Sequence, residues 1–460
     1  MNPASTRHAC AATAALVLAA WAPAPIQAGP GADAAVDDTA VDDAAATATA
    51  TPAPTDAVTV EADAPRKKRR TKRRTKRSAV WRVDVEAGAL AMAGALQGEA
   101  HRPGTAAVMQ AEADARVDVT RGQWRLRVPI EASHRETQGA SFDETGAAAG
   151  AALRWRHSAR LRITAEGELS GVWRPDWPDP YQPAPTGGTM TTDRYSHLDR
   201  SVGATVALIP IKHHHARVAY EYTLVDYRQD PAFDAIEEPN HLVPSDHEQH
   251  ALDLSWRYFG SGWKAGVGAD LFVKQYFFAF ARDAGTGYTH AGPGGAPPNP
   301  LQRLRGLEPS ASVERTWLDD SLEIDLSYGY EIQQDTFEGY YSYRGHHPVA
   351  KLRWTVRRGH ELSARAELRW RTYGPNAYAA GPSHPPLTYG DRRVDRRGVV
   401  STGYRMNLGG GWSAVADGSI TRRRTNFPSY EPGVFPASRA YDIDWNYDNW
   451  ALLLGVEGRR

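Results

Sequence analysis

Long segments of alternating apolar and polar residues constrain the fold of this chain more than any other feature. Within residues 123–134 the two kinds of side chain take alternate positions, with Trp124, Leu126, Val128 and Ile130 set against Arg125, Arg127 and Glu131. A period of two puts each set on one side of a β-strand. Residues 321–335 and 360–373 repeat the pattern. These segments are far longer than the five or six residues of a typical strand in a soluble sheet.

Short and long connections alternate between these segments. Short turns fall near residues 120–122, 157–160, 210–215, 259–262, 318–320, 357–359 and 409–411. The long connections are rich in Pro, Gly and Asp and include residues 175–193, 229–246, 283–302, 374–391 and 425–442. Trp and Tyr residues cluster near both ends of the segments, as expected where rings meet a membrane–water interface. Strands long enough to cross a bilayer, with turns of unequal length at the two ends, indicate an outer-membrane barrel.

The pattern predicts an all-β fold, a transmembrane antiparallel up-and-down β-barrel of about sixteen strands, with fourteen to eighteen as the range. The predicted strands run from residues 80–91 to residues 446–458 and include 149–157. In architecture this part of the chain resembles bacterial outer-membrane porin-like barrels, without a motif of one specific family. The resemblance implies outer-membrane lipid and the barrel-assembly machinery as partners. Such barrels commonly end in an aromatic residue, whereas this chain ends in Arg459 and Arg460.

The residues before the barrel have a different composition. Residues 1–28 read as a signal peptide, with an apolar run and a small-residue cleavage site at Ala28. Residues 29–77 are predicted to be a disordered periplasmic tail that is first rich in Ala, Asp and Pro and then strongly basic. The basic residues are Arg66, Lys67, Lys68, Arg69, Arg70, Lys72, Arg73, Arg74, Lys76 and Arg77. We expect this basic run to bind an anionic membrane surface or a periplasmic partner rather than nucleic acid.

Residues 78–460 would then form the barrel, and an even number of strands would put both termini in the periplasm. The only cysteine, Cys10, lies in the predicted signal peptide, so cleavage would leave no thiol for disulfides, catalysis or metal ligation. The consecutive histidines at positions 213–215 would diverge in a turn. No metal site and no cofactor are therefore predicted.

If the apolar faces meet lipid, the opposite faces line a lumen. The predicted basic lining residues are Arg125, Arg127, Arg154, Arg156, Arg160, Arg162, Lys351, Arg353, Arg365, Arg369, Arg371 and Arg397. The predicted acidic lining residues are Glu323, Asp325 and Glu331. Rings of Arg and Lys favour anions. Two alternatives are that opposite charges pair across neighbouring strands, and that a basic wall faces an acidic one and orients dipolar solutes.

The sequence thus predicts an outer-membrane channel for polar solutes or polymers, with anions as the expected class. One alternative is an export conduit for an acidic exopolysaccharide that works with periplasmic partners. Another is a plugged structural or binding barrel, or a hydrolase whose site lies on the rim. No local hydrolase signature such as Gly-x-Ser-x-Gly is present, so a non-enzymatic role is expected. Tyr340, Tyr341 and Tyr343 are predicted to form an aromatic outer loop, which could contact sugars or pack on itself.

Overall fold

The computed structural model shows a closed antiparallel β-barrel. It describes residues 81–97, 105–137, 143–174, 177–183, 189–192, 196–227, 246–281, 299–319, 321–374, 392–425 and 447–459. None of these residues forms a helix long and apolar enough to span a membrane. The predicted signal peptide and tail, residues 1–77, lie outside the described residues.

Sixteen strands form the barrel, and two more form a separate hairpin. The barrel strands are β1 (Arg82–Gln97), β2 (Thr105–Arg121), β3 (Trp124–Thr137), β4 (Glu144–Arg156), β5 (Leu161–Trp173), β8 (His197–Leu208), β9 (His214–Tyr227), β10 (His247–Phe259), β11 (Trp263–Phe280), β12 (Leu301–Trp317), β13 (Leu322–Asp335), β14 (Tyr343–Arg357), β15 (His360–Tyr373), β16 (Val394–Gly409), β17 (Trp412–Thr425) and β18 (Tyr447–Arg459). The hairpin consists of β6 (Trp177–Pro183) and β7 (Thr189–Thr192). Each barrel strand pairs with the next one along the chain, and β1 pairs with β18 to close the ring.

The predicted fold class and strand number are confirmed. Strand β4 is longer than the predicted 149–157, because it begins at Glu144. Its first half, ETGAAAGA, has almost no large side chain, so the alternation that marks a strand is faint there. The hairpin β6–β7 falls inside the predicted long connection 175–193 and was not expected.

All seven short turns lie at one end of the barrel, which we call the short-turn end. Gly262 and Gly359 take positive φ values of 72° and 80° in two of these turns, a backbone conformation that glycine adopts without steric cost. Strand β1 begins and strand β18 ends at the short-turn end. The long connections leave the opposite end, which we call the long-connection end.

Three prolines interrupt the strand pairing. Cross-strand partners are missing around Pro129 between β3 and β4, around Pro309 between β12 and β13, and around Pro348 between β14 and β15. Proline has no backbone N–H to donate, so a local gap in the ladder is the expected result. The register is the same on both sides of each of these three gaps, so inward and outward positions are preserved across them.

Candidate functional site

The two faces of the barrel wall differ in chemistry. Cross-strand pairing puts on one face the large hydrophobic side chains that remain exposed, among them Val85, Ile130, Leu169, Val202, Val267, Leu326, Val400, Ile420 and Leu454. Exposed tryptophans lie near both ends of this face, including Trp124, Trp263, Trp317 and Trp412 at the short-turn end and Trp173, Trp370 and Trp450 at the other. The opposite face carries buried polar residues such as Asp118, His247, Glu331, Asp335 and Asp395. Side chains converge on the inside of a closed barrel, so the polar face is the inner one.

The predicted lining residues can now be placed by register. The pairings put the following on the inner face: Arg125, Arg127, Arg154, Arg156, Arg162, Lys351, Arg353, Arg365, Arg369, Arg371, Arg397, Glu323, Asp325 and Glu331. Arg160 lies in the turn between β4 and β5 rather than on a strand. The predicted tail residues 66–77 lie outside the described residues. That these side chains line a conducting pore stays a prediction.

At the short-turn end, one buried carboxylate holds three arginines. The Asp118 side chain is 6% exposed and accepts hydrogen bonds from both Nε and Nη2 of Arg125, at 3.0 and 2.8 Å. Arg127 Nε donates to the same carboxylate at 3.2 Å, and Arg116 Nε lies 3.2 Å from it. A bidentate arginine–carboxylate pair fixes both groups in direction. Arg116 also binds Glu86, so two acids face three guanidinium groups and the group keeps one positive charge in excess.

Nearer the long-connection end, Glu331 has a similar role. Its side chain is 7% exposed, and Arg371 Nε donates to Oε2 at 2.7 Å while Arg369 Nε lies 3.0 Å from Oε1. Glu331 is on β13 and both arginines are on β15, so the contacts cross β14 above Gly345. A Cβ at Gly345 would lie 3.2 Å from Arg371 Cγ and 3.3 Å from Glu331 Oε2. Glycine therefore leaves the space through which the two side chains meet.

His347 lies beside this pair and contacts two more carboxylates. Its Nδ1 is 3.2 Å from Glu308 Oε1, and its Nε2 is 3.0 Å from Glu367 Oε1. Glu308, Glu331 and His347 offer three ligand atoms within 4.8 Å of one another, a spacing that could suit a metal ion. The arginines that bind Glu331 make an ion pair network the simpler account, because they already supply the cations that these carboxylates need.

Like charges lie side by side on two separate parts of the inner wall. Arg369, Arg397 and Arg423 are directly opposite one another across β15, β16 and β17. Asp253 is directly opposite Asp270 across β10 and β11. Like charges in directly opposed positions destabilise a sheet unless water or counter-ions screen them. The wall supplies part of this screening, since Arg369 lies 3.0 Å from Glu331 and Arg423 lies 3.7 Å from Asp395. Asp253 likewise lies 3.7 Å from Arg217.

The acidic part of the inner wall extends to β5 and β9. Glu166 on β5 leans over Gly203 on β8, since a Cβ at Gly203 would lie 3.4 Å from Glu166 Oε1. Glu221 on β9 is the next residue in the same ladder row, because Gly203 pairs with it. In the ring of sixteen strands β15 is the eighth from β5 and β17 is the eighth from β9, which is half a turn. The strands that carry Glu166 and Glu221 thus lie half a turn around the ring from strands of the arginine row, β15 to β17.

The connection between β13 and β14 folds against the inner wall at the long-connection end. Tyr340 and Tyr341 are 5% and 7% exposed and pack with Tyr276 and Leu304 of β11 and β12. Asp335 anchors the connection by accepting hydrogen bonds from the backbone N–H groups of residues 337 and 341, at 3.0 and 3.4 Å. The predicted aromatic loop thus packs into the mouth of the barrel, and Tyr340 and Tyr341 also contact each other edge to face.

Comparisons with known proteins find similarity at the level of fold alone. No protein-family model matches this chain, and no curated protein matches it. OccAB1 of Acinetobacter baumannii aligns with a TM-score of 0.45 and 10% identity over 82% of this chain and 96% of its own. OccK2 (OpdF) of Pseudomonas aeruginosa, solved in complex with glucuronate, gives 0.41 and 11% over 82% and 98%. A structure described as a bacterial polysaccharide outer membrane secretin gives 0.39 and 11% over 82% and 98%.

Proposed function

We propose that this protein is an outer-membrane channel that lets polar solutes cross through a hydrated, charged lumen. Barrels of sixteen to eighteen strands are too wide for their own side chains to fill and leave an aqueous channel. An apolar outer face with aromatic residues at both ends matches the lipid-facing surface of such barrels. Long connections would face the cell exterior, and the short turns and the ends of β1 and β18 would face the periplasm.

The observation that carries the proposal is the pair of opposed charged walls. The arginine row on β15 to β17 is half a turn from the carboxylates of β5 and β9. Two walls of opposite sign produce a field across the lumen, which would orient dipolar solutes and guide anions along the arginine row. Anion preference, charge pairing across strands and opposed charged walls are compatible interpretations of the lining. Asp118 and Glu331 balance some arginines, while the row on β15 to β17 brings several together.

Ion selectivity measured on matched variants tests this proposal. The full chain would be reconstituted in planar bilayers, and reversal potentials recorded under a salt gradient. We expect Arg397→Gln to shift selectivity toward cations and Glu166→Gln to shift it toward anions. Arg315→Gln is the control because Arg315 is on the outer face, where its guanidinium lies 5.2 Å from the Trp317 ring. It should leave the reversal potential unchanged.

Two outcomes would contradict the proposal. A correctly folded barrel that conducts no current in any orientation would exclude an open channel. Equal shifts from the inner-face and outer-face variants would show that the lumen charges do not control passage. The export alternative depends on the basic tail, residues 66–77, which lies outside the described residues, and it stays a prediction.

A further inference from the structure

Beyond the channel, the outer surface of the barrel near the long-connection end carries a row of arginines. We propose that Arg303, Arg305, Arg344 and Arg396 bind the phosphate groups of an anionic lipid in the surrounding leaflet. The proposal rests on the membrane location proposed above, but not on conduction. It adds a lipid-recognition surface to a barrel whose lumen is a separate site.

Register places these arginines on the outer face. Arg305 pairs with Val273, Arg344 pairs with Ile332, and Arg396 pairs with Trp370, all of which point away from the lumen. The arginines lie within the first five residues of β12, β14 and β16, strands that begin at the long-connection end. They therefore form one row across alternate strands, just beyond the apolar band.

An aromatic ring fixes one member of the row at the edge of that band. The Arg396 guanidinium lies 4.6 Å from the centre of the Trp370 ring, a cation–π contact. Trp370 is 41% exposed on the outer face. A guanidinium stacked on the ring of an interfacial tryptophan places its charge at the depth of lipid headgroups.

The charge of the row is not matched by neighbouring acids. Among the described residues, no carboxylate lies within the 4.0 Å ion-pair distance of Arg303, Arg305, Arg344 or Arg396. Other outward arginines near the same end do have such partners: Arg200 lies 3.3 Å from Asp226, and Arg424 lies 2.8 Å from Asp448. The four arginines of the row thus present a concentrated positive surface to an external anion.

The chemistry of the guanidinium group identifies the occupant. Its planar fork binds phosphate oxygens in a bidentate manner, and it is less strongly hydrated than an ammonium group. A ligand bound to these arginines must also have an apolar part, because the apolar band lies directly beside them. A lipid with phosphates on its headgroup meets both conditions, because its acyl chains cover the band while its phosphates reach the row.

Lipid binding to the full chain in detergent, measured by native mass spectrometry, tests the proposal. The probes are a diphosphorylated lipid A and a phosphatidylcholine. Since each basic residue near an anionic surface contributes about fivefold in affinity, the double variant R344Q/R396Q should raise the Kd for lipid A about twenty-five-fold. Binding of phosphatidylcholine, which has no net charge, should be weak and unchanged.

The double variant R121Q/R315Q is the matched control. It also removes two outward arginines that contact tryptophans, Arg121 over Trp81 at 4.7 Å and Arg315 over Trp317, but at the short-turn end. Its Kd for lipid A should equal that of the unmodified protein. Equal losses in the two double variants would overturn the proposal, as would displacement of lipid A by an equimolar amount of inorganic phosphate. Conductance of R344Q/R396Q should be normal, so failure of the lipid assay and failure of the channel proposal are separate results.

Discussion

Neutralising Glu331 gives the most direct test of how the inner wall is held. Glu331→Gln keeps the size of the side chain and removes the negative charge that lies 2.7 Å from Arg371 Nε and 3.0 Å from Arg369 Nε. The side chains of Arg369 and Arg371 are 28% and 21% exposed, so water screens them only in part. Removing one partner of a fully buried ion pair costs about 3–5 kcal/mol. We expect a loss of about 2–3 kcal/mol here, because both arginines keep some contact with water.

Equilibrium unfolding of the refolded barrel in denaturant, followed by tryptophan fluorescence in lipid vesicles, measures this loss. Glu323→Gln is the control, since Glu323 lies on the inner face of the same strand and has no basic partner within 4.0 Å among the described residues. Its unfolding free energy should stay within about 0.5 kcal/mol of the unmodified value. If the two substitutions destabilise the barrel equally, Glu331 has no special role in bracing the wall.

Three further perturbations have defined outcomes. Gly94→Val should prevent the heat-modifiable folded form on gels, because even a Cβ at Gly94 would overlap the carbonyl oxygen of Leu452 across the β1–β18 closure. Replacing Tyr340 and Tyr341 with Ala should raise single-channel conductance by releasing the connection that packs into the mouth. Burial raises the pKa of Asp246, which precedes β10, so ionisation of this carboxyl opposes folding. Asp246→Asn should therefore increase resistance to denaturant at pH 7, above the unfolded pKa, and have little effect at pH 3, where the native carboxyl is also protonated.

Each of these three predictions has its own control. Ala93→Val adds the same bulk one residue away, on the outer face, and should leave folding intact. Tyr328→Ala removes an outward ring that is 44% exposed and should leave conductance unchanged. For Asp246, an equal gain at both pH values would show that ionisation is not the cause, because the amide and the carboxyl can both accept the Tyr227 N–H.

The sequence was sufficient for the parts of the fold that depend on a period of two. Alternation assigned Arg125 and Leu126 to opposite faces, and the register places them so. It could not show that Arg371 reaches Glu331 across Gly345, because that contact depends on how three strands are aligned. Nor could it show that the strand of Glu221 lies half a turn from a strand of the arginine row, since that depends on the number of strands in the closed ring.

The connection between β13 and β14 shows a different limit of prediction from sequence. Tyr340 and Tyr341 lie between two strands in a stretch with no periodic pattern, so the sequence left open whether they contact sugars or pack on themselves. Their burial depends on tertiary contacts with Tyr276 and Leu304, which come from strands far from them in the sequence. Asp335, whose buried carboxyl shapes the connection, is the last residue of β13 and has no distinguishing signal in the sequence.

The contacts above Gly345 have a mechanical consequence for the cross-section of the barrel. Backbone hydrogen bonds between neighbouring strands set their spacing but permit the angle between them to change, so a wide ring can flatten without losing any of them. Side chains that join a strand to the next but one resist that bending, as Arg371 does with Glu331 and His347 does with Glu308. The wall from β12 to β15 should therefore keep its curvature while the remainder of the ring flexes. Loss of one of these side-chain contacts should increase the noise of the single-channel current before it changes the mean current.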